Sequence, residues 1–116
     1  MYIDTMAVSK ELVAASAAPL VLSMLAQGES YGYEIIQRVR ELSGGRLDWT
    51  DGMLYPVLHR LERKGLTKAV WRGSESGRRR KYYRLTRKGK VELARQRDDW
   101  LTVHASLARL WGLDHV

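Results

Sequence analysis

The chain has 116 residues, 45% of them hydrophobic, no cysteine and a formal net charge of +7. That length suits one domain with an appended helix. The missing cysteines exclude disulfides, thiol catalysis and most structural zinc sites, and they match a reducing compartment. No run approaches the ~18 apolar residues of a membrane span and the N-terminus has no signal-peptide pattern, so a cytoplasmic protein without a membrane partner is expected.

Helical periodicity begins near Asp4 and runs through Leu12, Val13 and Ala17. Pro19 removes a backbone donor and predicts a kink or restart. Leu20, Val21, Met24 and Leu25 then give a buried face that ends at Gly28. Ser30 is positioned to cap a second helix from about Tyr31 to Ser43, with Ile35, Ile36, Val39 and Leu42 at helical spacing. A third helix follows Thr50 or Asp51, with Leu54, Val57, Leu58 and Leu61 at i, i+3, i+4 and i+7. Pro56 predicts a late start or a slight bend there.

Two short strands come next, Thr67 to Arg72 and Arg80 to Thr86, around a Gly73–Gly77 tip. In the second, Tyr83 and Leu85 share one face while Arg80, Tyr82 and Arg84 share the other. Thr86 then caps a last helix reaching about Trp111. Between Arg72 and Lys90 stand nine Lys/Arg against Glu75 alone, a net of +8, while the rest of the chain carries eleven basic and twelve acidic residues. A basic tract on a balanced protein is the electrostatic footprint of a polyanion.

Three helices, a basic hairpin and a last helix make a mainly α fold with a small β-hairpin, the winged helix-turn-helix arrangement. One helix of that fold enters the major groove and the wing lies along the backbone or minor groove. Residues 1–86 are read as the DNA-binding domain with its N-terminal helix, and 87–116 as a dimerisation helix. Base contacts come from the start of a recognition helix, here Thr50, Asp51, Gly52 and Met53, with Tyr55 and His59 beyond them. Gly52 allows close approach, and the Thr50 and Tyr55 hydroxyls suit phosphates. Arg78, Arg79, Arg80 and Lys81 of the wing suit phosphate neutralisation and minor-groove insertion.

The last helix places Leu93, Trp100, Val103, Leu107 and Leu110 at a/d spacing, broken by Gln96, with Trp111 at its end. A two-fold partner would give this stripe a core. Facing Trp100 side chains on the dimer axis leave a slot for a flat aromatic effector, with Val103 alongside and Asp99 favouring a cation; packing of Trp100 in the dimer core is the competing assignment. His59, His104 and His115 lack tight metal-ligand spacing, so no metal site is expected. With no nucleophile–base pair, carboxylate pair or phosphate-binding glycine loop, neither catalysis nor a cofactor is expected.

The segments Tyr31–Ile36, Gly52–Glu62 and Gly77–Thr86 with Gly89 resemble the PadR family of bacterial transcriptional regulators over about Leu20 to Leu110. Met53 stands where that family often has a small hydroxyl residue. The resemblance implies operator contacts that include Tyr31 and Tyr33, and a homodimer built through the C-terminal helix with the N-terminal helix packed on it. It also implies repression at a palindromic operator, relieved by a small effector. The short C-terminal region is similar to that of multidrug-responsive members that bind flat aromatic compounds. An interaction or RNA-binding module reusing the winged helix is the alternative.

Overall fold

The structure is a computed structural model that describes residues 7–73 and 75–113; the expected helix start near Asp4 and His115 lie outside them. The order is α1 (Lys10–Ala26), β1 (Ser30–Tyr31), α2 (Gly32–Leu42), α3 (Asp51–Arg63), β2 (Thr67–Gly73), β3 (Arg79–Leu85) and α4 (Arg87–Leu110). This is the expected winged-helix, mainly α arrangement, with one strand more than the sequence suggested.

Helix α1 runs unbroken across Pro19, so the expected restart does not occur. The core explains why: Ala17, Val21, Leu22, Met24 and Leu25 are buried on both sides of the proline, and this packing outweighs one lost backbone hydrogen bond. Ser9 caps the helix by accepting from the Leu12 amide at 3.3 Å.

Ser30 does not cap α2. It belongs to β1, pairs with Tyr83 across the sheet, and its hydroxyl donates to the Glu34 carboxylate. Tyr31 holds the cap position with no side-chain cap bond. The sheet order is β1-β3-β2, all antiparallel. A two-residue strand carries no alternation of its own, so only the pairing reveals it.

Helix α3 begins at Asp51, without the late start that Pro56 suggested, because Thr50 caps it by accepting from the Met53 amide at 3.3 Å. Its Leu54, Val57, Leu58 and Leu61 enter the core beside Ile35, Val39, Trp49 and Tyr83. Trp49 sits in the loop before α3 and is buried without any periodic signal.

Thr86 fixes the start of α4 from both sides. Its hydroxyl accepts from the Gly89 amide at 3.0 Å and donates to the Gly65 carbonyl at 2.7 Å. Gly89 permits the contact, since a Cβ there would stand 2.7 Å from Leu85 Cδ1 and 3.0 Å from the Leu66 carbonyl carbon. The first turns of α4 therefore pack on the domain, with Leu93 against the core. The second half projects, leaving Trp100, Val103, Leu107, Leu110 and Trp111 exposed.

Candidate nucleic-acid interface

Helix α3 presents Asp51, Gly52, Tyr55, Pro56, His59, Arg60 and Arg63 to solvent. Spacing of three and four residues sorts these into two rows. Asp51, Tyr55 and His59 lie toward the sheet, where the Tyr55 and His59 rings are 6.3 Å apart. Gly52, Pro56 and Arg60 lie toward α1 and line a groove of about 520 Å³ with Val13, Ala17 and Met53. Met53 is half-buried on that flank and packs against the core. A Cβ on Gly52 would meet nothing nearer than Thr50 Oγ1 at 4.0 Å, so the protein's own packing does not demand the glycine.

Tyr55 is partly withdrawn from solvent. Its hydroxyl lies against Gly32 at the start of α2. Burial pushes its phenol above the ordinary value of 10.0, the Asp51 carboxylate adds to the rise, and Lys81 opposes it. The hydroxyl therefore stays protonated near neutral pH and remains a donor.

The wing does not present its cations uniformly. Arg80 points to the outer sheet face and stacks over the Tyr31 ring at 4.2 Å, while Tyr82 meets the same ring edge-on at 5.2 Å. Lys81 points inward, 3.7 Å from the Glu62 carboxylate of α3 and 5.2 Å from the centre of the Tyr83 ring. Arg79 lies 5.6 Å over Trp71. Arg72 forms a two-pronged pair with Glu29, including Nη2 to Oε2 at 2.9 Å. That pairing holds the Glu29 carboxyl below the usual range and raises the Arg72 guanidinium. Two of the nine basic residues of the tract, Arg72 and Lys81, are thus matched by acids distant in sequence. No sequence signal announced these pairs, because Glu29 is 43 residues from Arg72.

The predicted residues fall into three groups. Thr50, Gly52, Tyr55 and His59 cluster on the tip and outer face of α3, with Met53 at its α1 rim. Tyr31 joins Arg80 and Tyr82, Tyr33 is exposed at the start of α2, and Arg78 precedes β3. Trp100 lies apart, in a groove of about 370 Å³ with Leu12, Pro19, Leu20 and Leu47. Asp99 accepts from Arg95 Nη1 at 3.0 Å. Gly32 carries no role in the sequence reading, although a glycine near the start of a helix is a signal of close approach, here to the Tyr55 hydroxyl.

A model of the Transcriptional regulator PadR-like family matches residues 21–95. The chain belongs to the PadR-like family. A PadR-family transcription regulator from Clostridium difficile is 33% identical, with 83% of this chain and 98% of that one covered and a TM-score of 0.71. A transcriptional regulator from Clostridium thermocellum is 28% identical over 88% of this chain and 96% of its own, at a TM-score of 0.78. An uncharacterized protein of Lysinibacillus sphaericus is 29% identical over 96 residues, 83% of this chain and 88% of that protein. This PadR-like chain is accordingly a DNA-binding transcriptional regulator and not an enzyme. No helix among its described residues is long and apolar enough to cross a membrane.

Proposed function

We propose that the chain is a cytoplasmic repressor that binds a palindromic operator as a homodimer and is released by a small aromatic effector. One observation carries the DNA-binding part: α3 and its cap leave Thr50, Gly52, Tyr55 and His59 open to solvent on the molecule whose wing bears Arg78–Lys81. Thr50 and Gly52 reach the major groove first, with Met53 at its edge. Tyr55 and the Thr50 hydroxyl donate to phosphates, and Tyr31 and Tyr33 flank them at the start of α2. Arg78, Arg79 and Arg80 displace counterions along the neighbouring backbone.

Residues 1–86 act as the reading domain and 87–116 as the assembly helix. Leu107 is 37% exposed, Val103 52%, Trp111 65% and Leu110 82%, an apolar stripe that a two-fold copy covers. Leu93 stays with its own core and marks where intramolecular packing gives way to the partner. The effector stacks on Trp100 in the apolar groove along α1, against Leu12, Pro19 and Leu20. Because Asp99 is tied to Arg95, stacking contributes more than charge to holding a cationic ligand.

Mobility shift on the protein's own promoter region tests the reading. Retardation of that fragment well below the concentration that retards random DNA, and its reversal by a planar dye, is expected. Equal retardation of both fragments sinks the operator reading, and preference for RNA favours the alternative module.

A further inference from the structure

One face of the wing continues past the body of the domain. Directly paired residues of neighbouring strands share a face, so Tyr83 with Ala69, Lys81 with Trp71 and Arg79 with Gly73 follow one another along it from base to tip. Lys81, 3.7 Å from the Glu62 carboxylate, fixes that face as the one turned toward α3. Burial falls along it. Tyr83 is buried, Ala69 and Lys81 are half-buried, and Trp71 and Arg79 stand in solvent, Trp71 at 54% exposure. The Arg79 guanidinium lies 5.6 Å from the centre of the Trp71 ring, so the outer part of the face is an indole with a cation against it.

Across from this face stand Tyr55 and His59, in the row of α3 that lies toward the sheet. The Lys81 charge acts on the Tyr55 phenol, so the two walls lie within electrostatic reach of each other. With α3 in a major groove and the wing along the neighbouring minor groove, one backbone strand of the duplex crosses between these walls. That strand offers two surfaces in alternation, an anionic phosphate and an apolar deoxyribose edge. Arg79 matches the first and an exposed indole matches the second. Insertion between base steps suits an apolar wedge with nothing charged beside it. Trp71 lies two residues before the strand end at Gly73 and has a guanidinium against its ring, which favours packing on the groove wall over insertion.

We propose that Trp71 is a DNA contact whose ring packs on the deoxyribose edges of the backbone strand between α3 and the wing, while Arg79 beside it meets the adjoining phosphate. The inference rests on the proposed placement of α3 and the wing on duplex DNA, and on nothing about repression, palindrome or effector. A sugar edge is the same beneath every base, so the contact adds affinity without base preference. A neutral ring displaces no counterion, so this share of the affinity does not fall with salt. Trp71 thereby gives the wing a grip that its arginines alone do not supply.

Fluorescence anisotropy of a labelled promoter fragment and a labelled random duplex, titrated with the full chain over a salt series, tests the contact. Trp71→Ala is expected to weaken binding to both duplexes about tenfold and to leave the slope of log affinity against log salt unchanged. Arg79→Ala is expected to lower that slope by about 1. Trp71→Phe keeps a flat apolar ring and should lose about threefold or less. Intrinsic tryptophan emission should fall when DNA is added to the wild type, and fall less in Trp71→Phe. If Trp71→Ala disturbs the hairpin, Trp71→Thr, a good strand former, takes its place. Wild-type affinity in the Ala variant, or equal quenching of wild type and Trp71→Phe, overturns the contact. A loss of affinity with a slope change equal to that of Arg79→Ala also overturns it, since Trp71 then only supports Arg79. DNA bent by about 20° or more beyond its bend with Trp71→Ala assigns the ring to insertion between base steps and overturns the sugar contact. If Arg79→Ala with Arg80→Ala leaves affinity and slope untouched, the wing is off the DNA and the placement itself fails, not only the role of Trp71.

Discussion

The Tyr55 hydroxyl fills the space in which a side chain on Gly32 would begin: a Cβ there would overlap it and stand 2.9 Å from Tyr55 Cζ. This contact locks the exposed face of α3 to the start of α2. An alanine in a helix ordinarily gains up to ~1 kcal/mol over glycine. Gly32→Ala is expected to do the opposite, costing about 1 kcal/mol as Tyr55 is displaced. The loss should vanish in a Tyr55→Ala background, measured by urea denaturation in a double-mutant cycle. A stabilised Gly32→Ala protein would show that the contact is not maintained in solution.

Wing cations should differ in their effect on DNA affinity. Arg79→Ala with Arg80→Ala is expected to weaken binding to operator and random DNA alike, and to lower the slope of log affinity against log salt by about 1–2 units. Arg72→Ala should change the slope less, because Glu29 already matches that charge. Equal effects from both changes would place Arg72 on the phosphates despite its partner.

Base preference should follow the tip of α3. Substitutions at Thr50 or Met53 are expected to change which bases a randomised operator library yields. Tyr55→Phe should lower affinity by about 1 kcal/mol for one lost hydrogen bond without changing preference. Fixed preferences across Met53 variants would move the base contacts to Gly52 and Tyr55.

Assembly can be separated from folding because Leu107 is part-exposed in one protomer. Leu107→Asp is expected to give a folded monomer by light scattering and circular dichroism. Its stability as a monomer should change by only about 0.5 kcal/mol, while the dimer loses several kcal/mol. A wild-type mass would show that another surface makes the dimer.

The Trp100 groove predicts quenching of tryptophan fluorescence by planar cationic dyes with micromolar Kd, roughly −8 kcal/mol. Trp100→Ala should abolish binding and leave the dimer intact. Dissociation of that variant would assign Trp100 to the dimer core instead.

Acid stability should carry the signature of Glu92. Hydrogen bonds from Arg95 and Gln96 lower its carboxyl from an ordinary 4.5 to about 2. A depressed carboxyl stabilises the fold fully above the unfolded value and loses that contribution as pH falls toward 2. Denaturation curves of wild type and Glu92→Gln should therefore differ at pH 6 and converge near pH 2. A gap independent of pH would assign Glu92 a purely steric role.

The chain of amino acids by itself determined the helices, the wing and the exposed face of α3. The apolar spacing of Leu54, Val57, Leu58 and Leu61, the Thr50 and Thr86 caps and the alternation at Tyr83 are local codes, each written within a few residues. The PadR likeness was legible for the same reason, since its motifs are contiguous. What only the tertiary structure decided depends on residues far apart along the chain. Ser30 became a strand because Tyr83 lies opposite it, and α1 crossed Pro19 intact because its buried face outweighs one hydrogen bond. Glu29 and Glu62 matched two cations that composition had counted toward DNA, and Gly32 gave up its side-chain space to Tyr55. Local propensity fixes backbone shape over a turn or two, whereas charge matching and close approach depend on distances that exist only once the chain has packed.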